Sequence, residues 1–296
     1  MPPLSIVIGT TQPWPEIRAT LDSLFEQARA CGAEIVVADR TGQGLPVDVA
    51  ERYPGLVWLK RPGASIFALR GAAMARATGD LVATTEDHCR VAPDWCANII
   101  RAHAAHPEAG AIGGSVANGC PRNMRDWAHH FVTFGPAVPP IDETGRQPLW
   151  SGANIAYKRG VLPCPIPDEG LVDMFFIRDL RARGEKLVAD ASLQVAHHQP
   201  LPLRTCCTYH FHNGRTIAAA RLPRLSVIGR LARLLACGIL PLYLIGLRIK
   251  HVWPKRTLRG KLLASLPWIA AYVTAHSSGE LVGYLAGGGS SALKLH

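Results

Sequence analysis

The 296-residue sequence is poor in several things at once, and each deficit narrows what the chain can be. Its last 96 residues contain one acidic side chain, Glu280, against 13 Lys and Arg, whereas residues 1–200 carry 19 basic and 21 acidic ones. That asymmetry excludes a single domain of uniform surface and points to two physically different parts. The eight cysteines include no Cys-x-x-Cys pair and no zinc-ribbon spacing. A disulfide framework or structural zinc is therefore not expected, and a reducing, cytosolic compartment is. No basic residue precedes the apolar run Leu4 to Gly9, which is also too short for a secretory leader. Nor does any apolar run reach the roughly 20 residues that cross a hydrocarbon core. The stretch Leu225 to Leu247 carries Arg230, Arg233 and Pro241, and Leu262 to Leu285 is broken by Pro267, His276 and Glu280.

What remains is a chain that is 48% hydrophobic, enough for a sizeable core. Leu4 to Gly9, Glu34 to Asp39, Leu56 to Leu59, Leu81 to Thr85 and Ala111 to Val116 read as short buried strands. Between them, Ile17, Leu21, Leu24 and Phe25 recur at helical spacing, and Phe67 to Ala77 and Asn98 to Ala105 are helix-prone. Alternating strands and helices predict an α/β sandwich with ligands at the carboxyl ends of the strands. Periodicity fails from Asn118 to Trp150, which predicts loops over the site. It returns in a short strand near Asn154 to Tyr157, a helix over Val172 to Arg183, and strands near Lys186 to Ala189 and Leu193 to Ala196.

The two C-terminal hydrophobic stretches flank a basic connector containing Arg248, Lys250, Lys255, Arg256, Arg259 and Lys261. Cations interleaved with apolar runs suit an anionic membrane surface and not nucleic acid. The expectation is an interfacial or re-entrant helical pair on the cytoplasmic leaflet, an ordinary buried helical subdomain being the alternative. Glu280 in an apolar setting needs a partner, for which an Arg of the connector is one candidate.

The most informative polar cluster is Glu86-Asp87-His88, where the fourth strand ends. Two carboxylates and an imidazole suit Mg²⁺ or Mn²⁺ bridging a diphosphate. A solvated acidic turn is the plain alternative. The pairs His129-His130 and His197-His198 diverge on a strand and do not make a two-ligand site alone. No glycine-rich phosphate loop follows the first strand, where Gly9-Thr-Thr-Gln-Pro stands, so a nucleotidyltransferase is disfavoured.

Read together, the Thr10-Thr11 turn, Asp39, Arg70 with Gly79-Asp80, and Thr85-Glu-Asp-His-Cys-Arg-Val-Ala-Pro-Asp-Trp95 resemble the nucleotide-sugar-binding half of family 2 glycosyltransferases. The resemblance continues through Trp150-Ser-Gly-Ala-Asn-Ile-Ala-Tyr-Lys-Arg159 and the Val172 to Gly184 helix, over roughly residues 4–200. It implies a GT-A fold, a Rossmann-like mixed sheet flanked by helices, over residues 1–215, followed by a membrane-associating helical appendage over 216–296. It also implies that Asp39 binds the base or ribose of a UDP- or GDP-sugar, and that Thr10, Arg70 and Asn154 line the donor site. Glu86, Asp87 and His88 fall on the metal and diphosphate motif, with a divalent cation, Mn²⁺ or Mg²⁺, as cofactor. Asp173 falls on the catalytic carboxylate, with Glu169 as the alternative base and helix capping as the alternative role. Arg215 is placed to meet the leaving phosphates.

Two departures from the family pattern are His88 at the third acidic position and Val172 before Asp173. The family's Gln-x-x-Arg-Trp signature is absent, which argues against a processive polymerase. The ending Gly279-Glu-Leu-Val-Gly-Tyr-Leu-Ala-Gly287 looks like the tail of membrane-associated members that build surface glycans. The implied activity is inverting transfer to a lipid-linked or surface-glycan acceptor at the cytoplasmic face of the plasma membrane. The competing reading is a nucleotide-sugar-binding scaffold without catalysis.

Overall fold

A computed structural model describes residues 1–144 and 151–295. The chain divides into two compact units: Met1–Gly119 with Pro139–His198, and Cys120–Val138 with Gln199–Leu295. The strands are β1 (Leu4–Thr10), β2 (Glu34–Asp39), β3 (Val57–Lys60), β4 (Leu81–Glu86), β5 (Cys89–Val91), β6 (Ala109–Asn118), β7 (Ile155–Lys158) and β8 (Lys186–His197). The helices are α1 (Arg18–Ala30), α2 (Val47–Arg52), α3 (Ile66–Arg76), α4 (Trp95–Ala105), α5 (Met124–Phe134), α6 (Asp173–Ala182), α7 (Leu203–Arg221), α8 (Val227–Ala236), α9 (Leu240–Val252) and α10 (Arg259–Ala286).

All eight strands make one mixed sheet in the order β3-β2-β1-β4-β7-β6-β8-β5, belonging to the first unit. β1 to β4 are parallel, and β7 runs against both β4 and β6. β1 is buried along its whole length, as a central parallel strand covered on both faces must be. Val7, Val36, Leu69, Val82, Tyr157 and Phe176 belong to one apolar cluster that joins sheet, α3 and α6. Register decides where chemistry can occur. Thr10 pairs with Asp39 and Gly9 with Glu86, so the carboxyl ends of β1, β2 and β4 finish side by side. β5 then pairs antiparallel with β8, setting Cys89 opposite His197, while the His198 amide donates to the His88 carbonyl at 2.9 Å.

The two strands expected at Lys186 and Leu193 are one irregular strand, β8, whose register against β6 shifts between Gly113 and Ser115. Asn154 compensates there. Its amide group donates to the Ser115 and Leu193 carbonyls at 2.8 and 3.0 Å and accepts from Trp95 Nε1 at 2.9 Å.

A pH-dependent cost sits in the same unit. His103 of α4 is 5% exposed and its Nε2 meets the Ala156 carbonyl at 3.3 Å. Burial pushes its pKa down to about 4, against the pull of that carbonyl, with Lys158 and His106 adding to the depression. The unfolded chain therefore binds a proton there, between pH 6.5 and 4, that the folded chain refuses. Its stabilising contribution is complete above pH 6.5 and is lost as pH falls towards 4. Urea unfolding should show about 1–3 kcal/mol less stability at pH 4.5 than at pH 7 from this group. His103→Gln should flatten that part of the profile.

In the second unit, α5 replaces part of the loop expected over Asn118 to Trp150; residues 145–150 of that segment lie outside the described residues. Asn123 caps it by accepting from the Arg125 and Asp126 amides. The helix is nearly all buried, His129 and His130 included, and reading those histidines as polar hid its apolar pattern. α7 and α10 pack closely at small residues: a Cβ on Gly214 would come within 2.0 Å of the His276 carbonyl oxygen, and one on Gly279 within 1.9 Å of that of Phe211. This approach supplies the partner for buried Glu280, which is Arg221 of α7 at 2.6 Å and not the connector, with His276 at 3.2 Å. The expected division at 215/216 falls inside α7. Among the described residues, no single helix is long and apolar enough to cross a membrane; α8 and α9 reach that length and apolarity only together, and they are bent by 73°.

Candidate active site

The end of β4 projects Glu86, and the turn into β5 carries Asp87 and His88. The pairing of β5 with β8 adds His197. His88 Nε2 lies 2.8 Å from His197 Nε2, and each lies 3.4 Å from Glu86 Oε2. Glu86 and His88 side chains are 23% and 19% exposed, so the cluster opens to solvent on one side, while His197 is 5% exposed.

Asp87 faces elsewhere. It accepts from His88 Nδ1 at 2.7 Å, from the Thr10 hydroxyl at 2.8 Å and from the Thr11 amide at 3.2 Å. The Thr20 hydroxyl donates to its carbonyl, so α1 fixes the backbone of the same turn.

The charges reinforce one another. Burial would raise the Glu86 carboxyl, but hydrogen bonds from His197 and His88 prevail and hold it well below the usual range. Burial opposes the charge on His88 too, yet Asp87 and Glu86 lift it to about 10, so a cation ligated by this ring would bind in exchange for its proton. His197 goes the other way, to about 4, through burial and the neighbouring charge of His88.

Whether a divalent cation fits is answered by the donors. One oxygen and two ring nitrogens lie within 4.8 Å of one another. Their separations of 2.8 and 3.4 Å are the edges expected among ligands each about 2.0–2.2 Å from one ion. Two imidazoles and a carboxylate favour Mn²⁺ or a similar transition ion over Mg²⁺, which prefers oxygen alone. Asp87 is outside that ligand group and holds the His88 ring from behind, as carboxylates behind ligating histidines do.

Asp173 is the first residue of α6, where the helix dipole favours a carboxylate. Arg70 Nη1 of α3 donates to its Oδ2 at 2.7 Å. Arg70 is 6% exposed; burial weakens its charge, but Asp173 and, after it, Glu86 more than restore it. One guanidinium thus feels both the β4 carboxylate and the α6 carboxylate. Tyr157, whose buried hydroxyl has no hydrogen-bond partner among the described residues, is also within the electrostatic reach of Asp173 and Arg70, and burial pushes its pKa far up.

Gly152 makes room for the Arg70–Asp173 pair: a Cβ there would lie 1.7 Å from Arg70 Nη1 and 2.5 Å from Asp173 Oδ2. Gly152→Ala should therefore split the pair and lower turnover by at least about tenfold, with a stability loss of about 1–3 kcal/mol. Steady-state kinetics beside a thermal melt would check both.

Residues 5–179 match the sequence profile of Glycosyl transferase family 2, more than half of the chain. The chain belongs to that family. It is a nucleotide-sugar glycosyltransferase of GT-A fold, its mixed sheet flanked by helices and followed by a C-terminal helical region. Among solved structures, the transferase is similar to the mannosyltransferase PcManGT of Pyrobaculum calidifontis in complex with GDP-Man and Mn²⁺. The match has 18% identity and a TM-score of 0.56, and covers 96% of this chain and 87% of that one. Glucosyl-3-phosphoglycerate synthase of Mycobacterium tuberculosis, solved with phosphoglyceric acid, matches at 19% identity and a TM-score of 0.46, over 68% of this chain and 73% of that one. S. aureus TarS 1–349 matches at 16% and 0.47, over 93% and 90%. No curated protein matches the sequence.

The remaining expected residues of the transferase are distributed as follows. Thr10 and Asp39 lie at neighbouring strand ends, 0% and 1% exposed. The Asp39 carboxylate accepts from the Thr41 amide and hydroxyl, both at 2.7 Å, and from Trp58 Nε1 at 3.3 Å. Asn154 is interior, and its amide bonds to the Ser115 and Leu193 carbonyls and Trp95 Nε1. Arg215 lies in the second unit and donates to the Gly287 carbonyl at 2.8 Å. Glu169 is exposed on the turn before α6. Gly152 and Tyr157 lie in the Trp150–Arg159 segment that carries the family resemblance, but nothing in that segment marks their proximity to Arg70. His197 was visible in the sequence as the end of a late strand resembling the family's segment ending in His, which could line the diphosphate pocket; its place beside Glu86 and His88 was not.

Proposed function

We propose that the transferase passes a sugar, with inversion at its anomeric carbon, from a nucleoside diphosphate sugar to a lipid-linked or surface-glycan acceptor at the cytoplasmic membrane face. The observation that carries this reading is the pairing of buried Arg70 with Asp173, 2.7 Å apart, in the same unit as the Glu86, His88 and His197 donor group. Arg70 links the cluster suited to a diphosphate with the carboxylate suited to a hydroxyl. Glu86, His88 and His197 would hold a divalent cation, Asp87 orients the His88 ring, and GDP- and UDP-sugars are the donor classes. The Mn²⁺ and GDP-Man bound by PcManGT agree with that choice.

The bound cation would supply Lewis-acid stabilisation of the diphosphate leaving group. The chain's own residues do the rest. Arg70 offers a fixed positive charge near the departing phosphates, with no reorganisation needed as charge develops. Asp173 accepts the proton of the acceptor hydroxyl while its oxygen bonds to the anomeric carbon and the bond to the diphosphate oxygen breaks. Single displacement gives inversion.

The test is transfer from labelled GDP- and UDP-sugars to a membrane lipid extract with Mn²⁺, and the anomeric configuration of the product by NMR. Inverted product supports the reading; retained configuration, or no dependence on a divalent cation, overturns it.

A further inference from the structure

The second unit leaves a band of large apolar side chains bare that sugar transfer does not use. On α8, Val227, Ile228, Leu231 and Leu235 are 77, 79, 55 and 83% exposed. At helical spacing these four occupy one sector of about 100°. Another side of α8 is anchored. Arg230 donates to the Tyr284 and Leu285 carbonyls near the end of α10 at 2.6 and 3.1 Å, and Leu234 and Cys237 belong to an apolar cluster with Ala218 and Tyr284. The helix is thus held with its apolar stripe outward. Ile239, Leu242 and Tyr243, at 68, 72 and 64% exposure, continue the band into α9. Among the described residues, the only other large apolar side chains so exposed outside the second unit are Met1 and Val47.

The exposed side-chain charge after residue 200 has one sign. Arg224, Arg233, Lys250, Arg256 and Lys261 are exposed, and the one acidic side chain after residue 200, Glu280, is 4% exposed and paired with Arg221. A second copy of the chain would bring two positive fields together. An anionic phospholipid surface instead meets the band at its acyl boundary and the cations at its headgroups. A ten-residue α8 extends about 15 Å, half of the hydrocarbon thickness, and the 73° bend turns α9 away from its line.

We propose that α8 and the start of α9 lie flat in the interface of an anionic bilayer, with Val227, Ile228, Leu231, Leu235, Ile239, Leu242 and Tyr243 as the inserted side chains. This rests on the membrane-face reading above and deepens it by naming the surface and the lipid class.

Full-length protein should be floated with vesicles of phosphatidylcholine alone or mixed with phosphatidylglycerol. Binding is expected to be at least about tenfold tighter to the mixed vesicles, and Leu231→Glu/Leu235→Glu should weaken it by about 100-fold or more. The same variant should keep donor hydrolysis and its circular dichroism spectrum, so failure of docking is distinguishable from failure of the transferase or of the fold. In Leu231→Trp, brominated lipids should quench the new indole. Equal flotation of wild type and the double variant, or lack of preference for phosphatidylglycerol, would overturn the proposal. So would a vesicle-free dimer that Leu231→Glu dissolves without any vesicle binding by the wild type.

Discussion

Asp173→Asn should lower kcat by about 10²–10⁴-fold while leaving donor affinity within about threefold. Asparagine keeps the size of the side chain, and its amide oxygen can still accept from Arg70, so the local fold survives. What it loses is a site for the acceptor's proton. Donor binding measured by calorimetry separates this loss from damage to the diphosphate site. Arg70→Ala should behave differently: it removes charge next to the diphosphate and also releases Asp173, so KM for the donor should rise and kcat should fall together. Arg70→Lys should restore only part of the loss, because an ammonium cannot reproduce the guanidinium's fixed direction. If Asp173→Asn turned over normally and Glu169→Gln did not, the base would belong to the exposed turn before α6.

The second large effect concerns the cation. Glu86→Gln neutralises and His197→Ala removes one of the three closely spaced donors, and each should cost at least about 100-fold in Mn²⁺-dependent rate. Asp87→Asn should cost less, about 10–100-fold in metal affinity, because its carboxylate holds the His88 ring and the Thr10-Thr11 turn. A Mn²⁺ titration of activity reads these differences as shifts in half-saturation. Excess Mn²⁺ should rescue much of the loss in Asp87→Asn and little in His197→Ala.

That ranking differs from the one the primary structure suggests, and the reason is geometric. Glu86, Asp87 and His88 are adjacent in the chain, so a local motif makes all three equivalent candidates. Side-chain direction at the end of β4 separates them, and only the antiparallel pairing of Cys89 with His197 brings in a donor from 109 residues away. No spacing rule encodes that pairing. The central strands were legible because continuous apolar runs such as Ile6-Val-Ile8 have few uses other than a doubly covered strand. α5 was not, since two buried histidines interrupt its apolar face. Around Asn154 the motif was legible, but the bridging of the β6–β8 irregularity by its amide was not. In the second unit, the basic bias and broken apolar runs were plain. The choice of Arg221 as the Glu280 partner depended on the close approach of α7 to α10 at glycines.

Crystals grown with Mn²⁺ and a nucleoside diphosphate would locate the ion by its anomalous signal. The expected peak lies about 2.0–2.2 Å from Glu86 Oε2 and from the Nε2 atoms of His88 and His197, with the diphosphate between it and Arg70. A peak ligated by Asp87 with His197 unbound, or a diphosphate seated away from Arg70 and Asp173, would contradict the arrangement on which the catalytic reading rests.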